Sequence, residues 1–465
     1  MTLRAVAAVD LGATSGRVMI GRVGEGRLDL ELVSRFPNGP VEREDGLHWD
    51  FDALYEHVVD GLAEAVRREP GIESIGIDSW AVDYGLVRDG ILLADPFHYR
   101  DTRTGRGVDE VHGIVPFAEL YRRTGLQFLP FNTLYQYRVD PGLAEADTAL
   151  LIPDLIACLL TGVMVAERTN ASTTGLLGVA SGAWDADLAE RLDIPTAVLP
   201  ALVDPGTVIG MLRPELAARV GAEIPVVAVG SHDTASAVVA VPLSAPTSAY
   251  ISCGTWGLVG VELTEPVLTD AAREANFTHE LGVDGRFRFL HNVTGLWLLS
   301  ETVRAWEAED GAAISLPELL AESAAVDVEV PLFDANDASL SAPGDMPRRI
   351  AALLGDTAPT SRPAFARSIV ESIAAAFAAA VRTASELTGR PIDSIHLVGG
   401  GSLNRLLCQA TADRTGLPVL AGPVEATALG NVLVQARALG ATPVALEDLR
   451  ALVATTHAPV RYDPR

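Results

Sequence analysis

Apolar runs separated by short clusters of small residues occur twice along the chain, and both patterns predict a β-hairpin. Residues 4–9 are apolar, residues 10–16 supply a tight turn, and residues 17–23 form a second strand-like run. Just past the midpoint, residues 249–261 repeat the order of strand, small-residue turn and strand. The repetition predicts a duplicated architecture. Turn-forming residues before the second hairpin place the boundary between an N-terminal domain, 1–243, and a C-terminal domain, 244–465.

Helical and strand-like patterns alternate through the rest of the sequence. Apolar residues spaced three to four apart predict helices over residues 51–68, 151–160, 363–387 and 403–415. Short apolar runs predict buried strands over residues 74–78, 224–229, 394–398 and 418–420. This alternation predicts an α/β fold with mostly buried sheets. Residues 331–362 are rich in Asp, Ala and Pro and show little periodicity, which predicts an irregular surface segment.

Composition narrows the function classes. The chain has 465 residues, 48% of them hydrophobic, and a formal net charge of −26. That charge argues against nucleic acid or an anionic membrane as a partner. All 35 basic residues are arginine, which excludes a Walker-A loop, a protein kinase and Schiff-base chemistry, since each requires lysine. Three widely spaced cysteines indicate neither a disulfide framework nor a zinc cluster. With no long apolar run and Asp10 interrupting the first one, we expect a cytoplasmic protein.

Three turns carry residues suited to binding phosphate. The first holds Ala13, Thr14, Ser15 and Gly16 before Arg17, and its backbone N–H groups can approach an anion closely. Asp10, at the end of the preceding strand, is placed to hold Mg²⁺ directly or through water. An ordinary glycine-containing hairpin is the alternative for any single turn of this kind. The turn at residues 253–257 and the three glycines at 399–401 repeat the feature, although close packing also explains consecutive glycines.

Residues 231–234, Ser-His-Asp-Thr, follow one predicted strand and precede a predicted helix. An aspartate in that position is well placed to accept a proton from a hydroxyl nucleophile. The alternatives are that Asp233 caps the helix and that His232 is an ordinary core histidine.

Residues 79–84 combine aromatic rings with a carboxylate after a strand, a pattern typical of polyol recognition in which carboxylates bind hydroxyls. A Trp/Tyr pair packed at a domain surface is the alternative. Asn292 is a candidate for binding sugar hydroxyls or for capping a helix.

Several segments together resemble the FGGY carbohydrate kinases. They are residues 9–17, 75–85, 99–104, 124–136, 169–174, 231–237, 292–299, 398–401 and 422–431, and they span nearly the whole chain. The resemblance implies the actin-like, sugar-kinase ATPase fold with two ribonuclease-H-like domains and a cleft between them. The block Thr124–Gln136 is similar to that of the members acting on L-rhamnulose.

The resemblance also implies the reaction and its residues. We expect ATP and Mg²⁺ to be used to phosphorylate the 1-hydroxyl of L-rhamnulose in L-rhamnose breakdown, by a monomer or small homo-oligomer. Asp233 matches the family's catalytic base. The positions matching substrate contacts are Ala81, His232, Asp233, Thr234 and Asn292, and those matching ATP contacts are Ala13, Thr14, Ser15, Gly16, Arg17, Thr255, Ser300 and Gly400. Ala81 stands where the family pattern has glycine, and Ser300 is shorter than the polar side chain expected there.

Other functions remain open on the sequence. A kinase of the same family could act on L-fuculose, L-ribulose, D-xylulose or glycerol. A non-catalytic ATPase of the actin-like fold would share the phosphate turns without needing the His232–Asp233 pair. A sugar sensor would usually add a DNA-binding module.

Overall fold

The structure is a computed structural model and describes residues 3–24, 26–243 and 245–465. Ser244, where the predicted C-terminal domain begins, lies outside the described residues. By internal contacts the chain divides into two compact units. The first contains Met1–Pro242, Glu262–Phe289 and Ala426–Thr456, and the second contains Leu243–Val261, Leu290–Glu425 and His457–Arg465. Whether the functional domains divide at residue 243 stays a prediction.

Residues 3–242 form most of the first unit. Its strands are β1 Arg4–Leu11, β2 Ser15–Gly24, β3 Arg27–Pro37, β4 Pro40–Arg43, β5 Gly46–Trp49, β6 Ile72–Ser79, β7 Tyr84–Arg88, β8 Ile91–Leu92, β9 Thr148–Leu151, β10 Val165–Glu167, β11 Ala201–Val203, β12 Val208–Met211 and β13 Pro225–Val227. Its helices in this stretch are α1 Phe51–Arg68, α2 Thr104–Ile114, α3 Phe117–Thr124, α4 Thr133–Val139, α5 Ile152–Thr161, α6 Arg168–Ala171, α7 Ala186–Arg191, α8 Pro214–Val220 and α9 Asp233–Val239.

The remainder of the chain adds seven strands and eight helices among the described residues. The strands are β14 Ser248–Cys253, β15 Trp256–Leu263, β16 Thr278–Leu281, β17 Phe287–Thr294, β18 Ser394–Val398, β19 Val419–Ala421 and β20 Val460–Tyr462. The helices are α10 Asp270–Glu274, α11 Trp297–Asp310, α12 Leu316–Ala324, α13 Met346–Leu354, α14 Arg362–Thr388, α15 Arg405–Thr415, α16 Ala426–Ala438 and α17 Leu446–Thr456.

Each unit is organised around a sheet of the same order. In the first unit the strands run β12-β13-β6-β1-β2-β3, with β1 antiparallel to β2 and parallel to β6. A seven-stranded sheet, with the order β16-β17-β15-β14-β18-β19-β20, repeats this plan from β17 to β20, with β14 antiparallel to β15 and parallel to β18. Both orders place a hairpin beside a parallel strand, which is the ribonuclease-H-like arrangement. The two predicted hairpins and the duplicated architecture are therefore confirmed.

Most predicted elements lie where the hydrophobic pattern placed them, because burial of one face forms the core. Helix α1 occupies the predicted residues and buries Leu54, Val58 and Leu62 against the first sheet. Its N-cap Asp50 accepts a hydrogen bond from the backbone N–H of Ala53 at 3.4 Å. Strand β18 also matches its predicted bounds.

The prediction that residues 331–362 are irregular is wrong in part. Helix α13 lies within this segment and buries Met346, Ile350 and Leu354. These side chains are four residues apart and therefore share one helix face. Three apolar anchors in a short helix give a weak pattern, which the surrounding Pro and Asp residues masked.

One described helix has the length and composition of a membrane span. Helix α14 has 27 residues, and 72% of its most apolar window is buried within the protein. Phe365, Ile369 and Phe377 are among its buried side chains. A core helix passes the same test of length and composition.

Candidate active site

The parallel strands β1 and β6 end side by side and bring two carboxylates together. Asp10 and Asp78 are register partners, and both are buried. Carboxyl ends of parallel strands lie at one edge of a sheet, where ligands of α/β proteins bind. The pKa of Asp78 is raised well above its ordinary value, chiefly by burial and then by the negative charge of Asp10. Asn431 opposes this shift by donating to Asp78 Oδ2 at 2.6 Å.

The first hairpin turn is held by charged and polar partners. Asp10 Oδ2 lies 3.0 Å from Arg17 Nε, across the hairpin. Asn38 donates from its side chain to the carbonyl of Gly12 at 2.9 Å and from its backbone to the carbonyl of Thr14 at 3.1 Å. Asn38 therefore holds the turn through its backbone carbonyl groups.

The other predicted ATP-binding residues of the first turn differ in exposure. Thr14 is exposed, Ala13 and Ser15 are half-buried, and Gly16 is buried. A Cβ on Gly16 would overlap the ring of Phe36, so close packing explains this glycine. Exposed Thr14 lies at the tip of the turn, where an incoming anion can reach its hydroxyl.

Asp233 begins helix α9 directly after the strand-like segment that ends at His232. Ser79 and His232 form a parallel bridge, and the backbone N–H of Ser79 donates to the Ser231 carbonyl at 2.9 Å. This pairing brings Asp233 to the edge that carries Asp10 and Asp78. The negative charge of Asp233 contributes to the raised pKa of Asp78.

The two carboxylate oxygens of Asp233 have different surroundings. Thr234 Oγ1 donates to Oδ1 at 3.0 Å, and His232 Nε2 faces the same oxygen at 3.4 Å. Among the described residues no donor is found for Oδ2, and 32% of the side chain is exposed. One oxygen is thus anchored and the other is open to accept a proton from a substrate hydroxyl.

Behind His232 lies a buried ion pair that the sequence analysis did not identify. Arg288 Nη1 lies 3.1 Å from Glu280 Oε2, and Arg288 has no exposed surface. Burial by itself raises the pKa of Glu280, but the charge of Arg288, helped by the contact with His232, outweighs it, so the pKa of Glu280 is lowered. His232 directly precedes helix α9, whereas Glu280 lies on β16 and Arg288 on β17, about fifty residues further along the chain. No local sequence pattern signals a contact over that separation.

Glu167 is a second residue that sequence reasoning missed. Its Oε2 accepts hydrogen bonds from the backbone N–H and the hydroxyl of Ser231, both at 2.9 Å. Its Oε1 accepts from the backbone N–H of Thr169 at 2.8 Å. Burial raises the pKa of Glu167 despite these donors. The arrangement fixes the backbone immediately before His232 and Asp233.

The carboxylate of Asp83, which the sequence offered as one possible binder of sugar hydroxyls, is held by donors of the protein itself. Asp83 Oδ2 accepts from Trp49 Nε1 at 2.7 Å, Trp80 Nε1 at 3.0 Å and the backbone N–H of Tyr99 at 3.2 Å. Gln136 Nε2 donates to the other oxygen at 3.2 Å. With these donors bound, Asp83 orients two tryptophan rings whose centroids lie 4.1 Å apart and whose planes are tilted by 37°. Burial raises its pKa to about 7.

Ala81 lies in a tight turn between Trp80 and Asp83. Its carbonyl accepts from the backbone N–H of Asp83 at 3.0 Å, and the next residue, Val82, has a φ of 72°. A β-branched residue in the left-handed region is strained. Thr133 Oγ1 holds that conformation by donating to the Val82 carbonyl at 2.8 Å. Ala81 itself is half-buried.

In the second unit, the three consecutive glycines at 399–401 lie beside the end of strand β14. Cys253 ends β14, and a Cβ on Gly401 would lie 2.5 Å from its sulfur. A Cβ on Gly399 would lie 2.9 Å from the Cys253 carbonyl oxygen. By contrast, nothing lies within 4 Å of a Cβ on Gly400, which is exposed. Close packing therefore explains the outer glycines, and Gly400 is left open to a ligand.

Thr255 lies in the second hairpin turn, which contacts the start of helix α11. The carbonyl of Thr255 accepts from the backbone N–H groups of Gly295 and Trp297, both at 3.2 Å. Ser300 is exposed one turn into this helix, at the position where the resemblance implies a nucleotide contact. Asn292 is half-buried within strand β17, so it does not cap a helix.

The predicted site residues thus fall on two units. Asp10, Ala13–Arg17, Ala81 and His232–Thr234 belong to the first, and Thr255, Asn292, Ser300 and Gly400 to the second. Among the described residues no group of three or more His, Cys, Asp or Glu side chains forms a ready metal site. Asp78 Oδ1 is nevertheless a buried oxygen with no hydrogen-bond partner. Such carboxylate oxygens fit Mg²⁺, which keeps several waters and substrate phosphates as ligands.

Two family models cover most of the chain. Residues 5–240 match the N-terminal domain of the FGGY family of carbohydrate kinases, and residues 249–439 match its C-terminal domain. The chain therefore belongs to the FGGY family of carbohydrate kinases.

Relatives and solved structures agree with this membership. A rhamnulokinase from Bacteroides thetaiotaomicron is 40% identical over 98% of this chain and 95% of that protein. A rhamnulokinase from Bacillus subtilis is 38% identical over 92% of this chain and 89% of that protein. The gluconate kinase of Lactobacillus acidophilus superposes with a TM-score of 0.80 at 18% identity, covering 100% of this chain and 94% of that one. This likeness establishes the two-domain α/β fold.

Proposed function

We propose that this chain transfers the γ-phosphoryl group of ATP to the 1-hydroxyl of L-rhamnulose, giving L-rhamnulose 1-phosphate and ADP. The rhamnulokinases of B. thetaiotaomicron and B. subtilis support the choice of sugar, since the similarity extends over nearly the whole length of each protein. The observation that carries the chemistry is the carboxylate of Asp233, with Oδ1 anchored and Oδ2 open.

Phosphoryl transfer needs positioning and charge stabilisation more than covalent catalysis. The sugar O1 attacks the γ-phosphorus, a new O–P bond forms, and the bond from phosphorus to the leaving oxygen of ADP breaks. Asp233 Oδ2 takes the proton from O1 as the attack proceeds. Thr234 keeps Oδ1 in place, so the carboxylate does not rotate away from the hydroxyl.

Backbone groups and one arginine would bind the phosphates. The turn Ala13–Gly16 presents N–H groups to an anion, while Asn38 holds the carbonyl side of the same turn. Arg17 supplies a permanent positive charge beside this turn, in a chain that has no lysine. Thr255, Ser300 and Gly400 are the contacts proposed for the second unit. Gly400 gives a nucleotide close access because no side chain or neighbouring atom covers it.

The buried carboxylates of the first unit would hold Mg²⁺. Asp10 and Asp78 supply hard oxygen ligands, directly or through water. When bound, the metal neutralises charge on the phosphate oxygens. Arg17 keeps Asp10 in place at 3.0 Å.

The sugar would contact aromatic rings and polar groups. Ala81, His232, Thr234 and Asn292 are the proposed contacts, with Trp80 beside Ala81 in a fixed orientation. A rigid ring offers a flat surface to the C–H face of a sugar at small cost in conformational entropy.

We further propose that the protein works in the cytoplasm as a monomer or small homo-oligomer. Its three cysteines are free and buried, as suits a reducing compartment. Its net charge of −26 disfavours nucleic acid and anionic membranes as partners.

A substrate panel tests the function. ADP release from ATP and Mg²⁺ is measured in parallel with L-rhamnulose, L-fuculose, L-ribulose, D-xylulose and glycerol. We expect a kcat/KM for L-rhamnulose well above that for the other four. Preference for another sugar would overturn the substrate and keep the kinase, whereas inactivity with all five would overturn the kinase itself.

A further inference from the structure

His232 has a titratable or charged partner at each ring nitrogen. Nε2 lies 3.4 Å from Asp233 Oδ1. Nδ1 lies 3.0 Å from Arg288 Nη2 and 3.2 Å from Glu280 Oε2. These three groups are the charged side chains that face the ring from α9, β17 and β16. All of them except Asp233 are nearly or fully buried.

The two partners of Nδ1 favour different protonation states of that nitrogen. A guanidinium has only donors, so Arg288 requires a lone pair on Nδ1. A carboxylate has only acceptors, so Glu280 favours a proton there. The charge of Arg288 also faces Glu280 directly, since Nη1 lies 3.1 Å from Oε2. Its Nε and Nη2 also donate to the Leu281 carbonyl, each at 3.2 Å, which fixes the guanidinium in its plane.

We propose that Arg288 is a positioning residue that holds His232 as the neutral tautomer with its proton on Nε2. That N–H then points to Asp233 Oδ1, next to the hydroxyl of Thr234, and turns Oδ2 toward the substrate hydroxyl. Glu280 neutralises Arg288 and keeps it in place. The inference deepens the proposed function and rests on it, because it gives Asp233 the role of base.

Two substitutions separate this role from packing. Arg288→Met keeps the length of the side chain and leaves the Glu280 carboxylate facing Nδ1, which favours a proton on that nitrogen. Since a misplaced reacting group can cost about 100-fold, we expect kcat to fall by about that factor with the KM for ATP unchanged. In the double variant Arg288→Met with Glu280→Gln, the new amide can donate to Nδ1. We expect it to recover most of the lost kcat.

The matched control is another buried arginine–glutamate pair of the first unit. Arg450 Nη2 lies 2.7 Å from Glu262 Oε1, and its side chain is nearly buried, but no described histidine faces it. Arg450→Met should lower the melting temperature about as much as Arg288→Met does, with kcat retained. An equal loss of kcat in both variants would overturn the proposal.

Nitrogen NMR of the nine histidines gives a readout that needs no substrate. The His232 signals are assigned by their loss in His232→Gln. We expect a protonated Nε2 and an unprotonated Nδ1 in the wild-type protein, and a proton on Nδ1 in Arg288→Met.

The outcomes distinguish the two proposals. A proton on Nδ1 in the wild type, or a double variant no faster than Arg288→Met, would overturn the role of Arg288. Inactivity of the wild type with every sugar would overturn the proposed function alone, since the ring nitrogens report the tautomer without turnover. If Arg288→Met does not fold, the wild-type spectrum still decides the tautomer.

Discussion

The two hairpins of this protein share a backbone plan and differ in charge. In each, the first strand pairs antiparallel with the second and parallel with a later strand, β6 or β18. In each, the second residue of the second strand is a glycine, because a phenylalanine ring occupies the space of a Cβ. The pairs are Gly16 with Phe36 and Gly257 with Phe377.

The strand ends of the two hairpins are chemically different. Asp10 is the next-to-last residue of the first hairpin's leading strand, with Arg17 opposite and Asp78 beside it. Ser252 is in the corresponding place of the second hairpin, opposite Leu258 and beside Val398, so no charged side chain stands there. The same backbone therefore supports two tasks. We propose that the first hairpin positions a metal, whereas the second offers backbone groups without charge.

The largest effect should come from removing the base. We expect Asp233→Asn to lower kcat by about 1,000-fold, because general-base catalysis contributes about 100- to 10,000-fold. ATP affinity, measured by calorimetry, should stay within about threefold, since Asp233 would contact the sugar hydroxyl. Near-normal turnover would show that the acidic edge of the first unit does not supply the base.

The next prediction concerns how the stability of the first unit depends on pH, because its buried carboxyl groups have raised pKa values. The pKa of Asp83 is about 7 in the folded protein, against about 4 in an unfolded chain. Between these values the folded protein holds a proton that the unfolded chain has released. The unfolding free energy of this unit should therefore fall by up to about 4 kcal/mol as pH rises from 4 to 7, and then level off.

Urea unfolding at pH 5 and pH 8 measures this, with pulse-labelling hydrogen exchange at one fixed pH reporting each unit separately. Asp83→Asn should make the unfolding free energy of the first unit fall less between these two pH values. Part of the fall should remain, because Asp78, Asp154 and Glu167 also have raised pKa values. A drop of equal size in the second unit would contradict the assignment to these carboxyls.

A third comparison exchanges the strand-end residues. Asp10→Asn should lower kcat between about tenfold and 100-fold at limiting Mg²⁺, as loss of a metal-positioning group typically does. Part of the loss should be regained at higher Mg²⁺, which a titration of initial rates would reveal. Ser252→Ala, at the matching place in the second hairpin, should leave the Mg²⁺ dependence unchanged. An equal change of Mg²⁺ dependence in both variants would contradict the proposal that only the first hairpin positions the metal.

The fourth prediction tests the shared backbone plan. Gly16→Ala and Gly257→Ala should each destabilise the protein by about 2 kcal/mol, because the added methyl overlaps a phenylalanine ring. Thermal unfolding measures both. Adding Phe36→Leu to the first variant and Phe377→Leu to the second should restore part of the stability. If only one of the two Gly→Ala variants lost stability, the two glycines would not be equivalent.

The smallest effect concerns the sugar. Ala81→Gly should change the KM for L-rhamnulose by about fivefold, since one methyl group in a pocket contributes about 1 kcal/mol at the low end. The KM for ATP should be unaffected, and initial rates against both substrates measure the difference. A change confined to ATP would place Ala81 outside the sugar site.

The hydrophobic pattern by itself determined much of the fold. Helix α1, strand β18 and both hairpins follow from residues that are close in sequence, because apolar spacing of 3.6 or 2 selects helix or strand. The same local signals singled out His232 and Asp233, since a polar cluster between a strand and a helix is visible in a few residues. The ligand roles of these residues stay predictions.

Only the tertiary structure decided which distant groups meet. Glu280 and Arg288 reach His232 from strands about fifty residues away, and Glu167 holds Ser231 across 64 positions. Asp83 had the sequence signal of a sugar ligand, yet its oxygens accept from Trp49, Trp80, Tyr99 and Gln136. The sequence gives the chemical type of a side chain. Whether that side chain binds a substrate or stabilises the fold depends on which hydrogen-bond donors the packed core places around it. Buried polar groups must be satisfied wherever the fold brings them, and that constraint acts in space rather than along the chain.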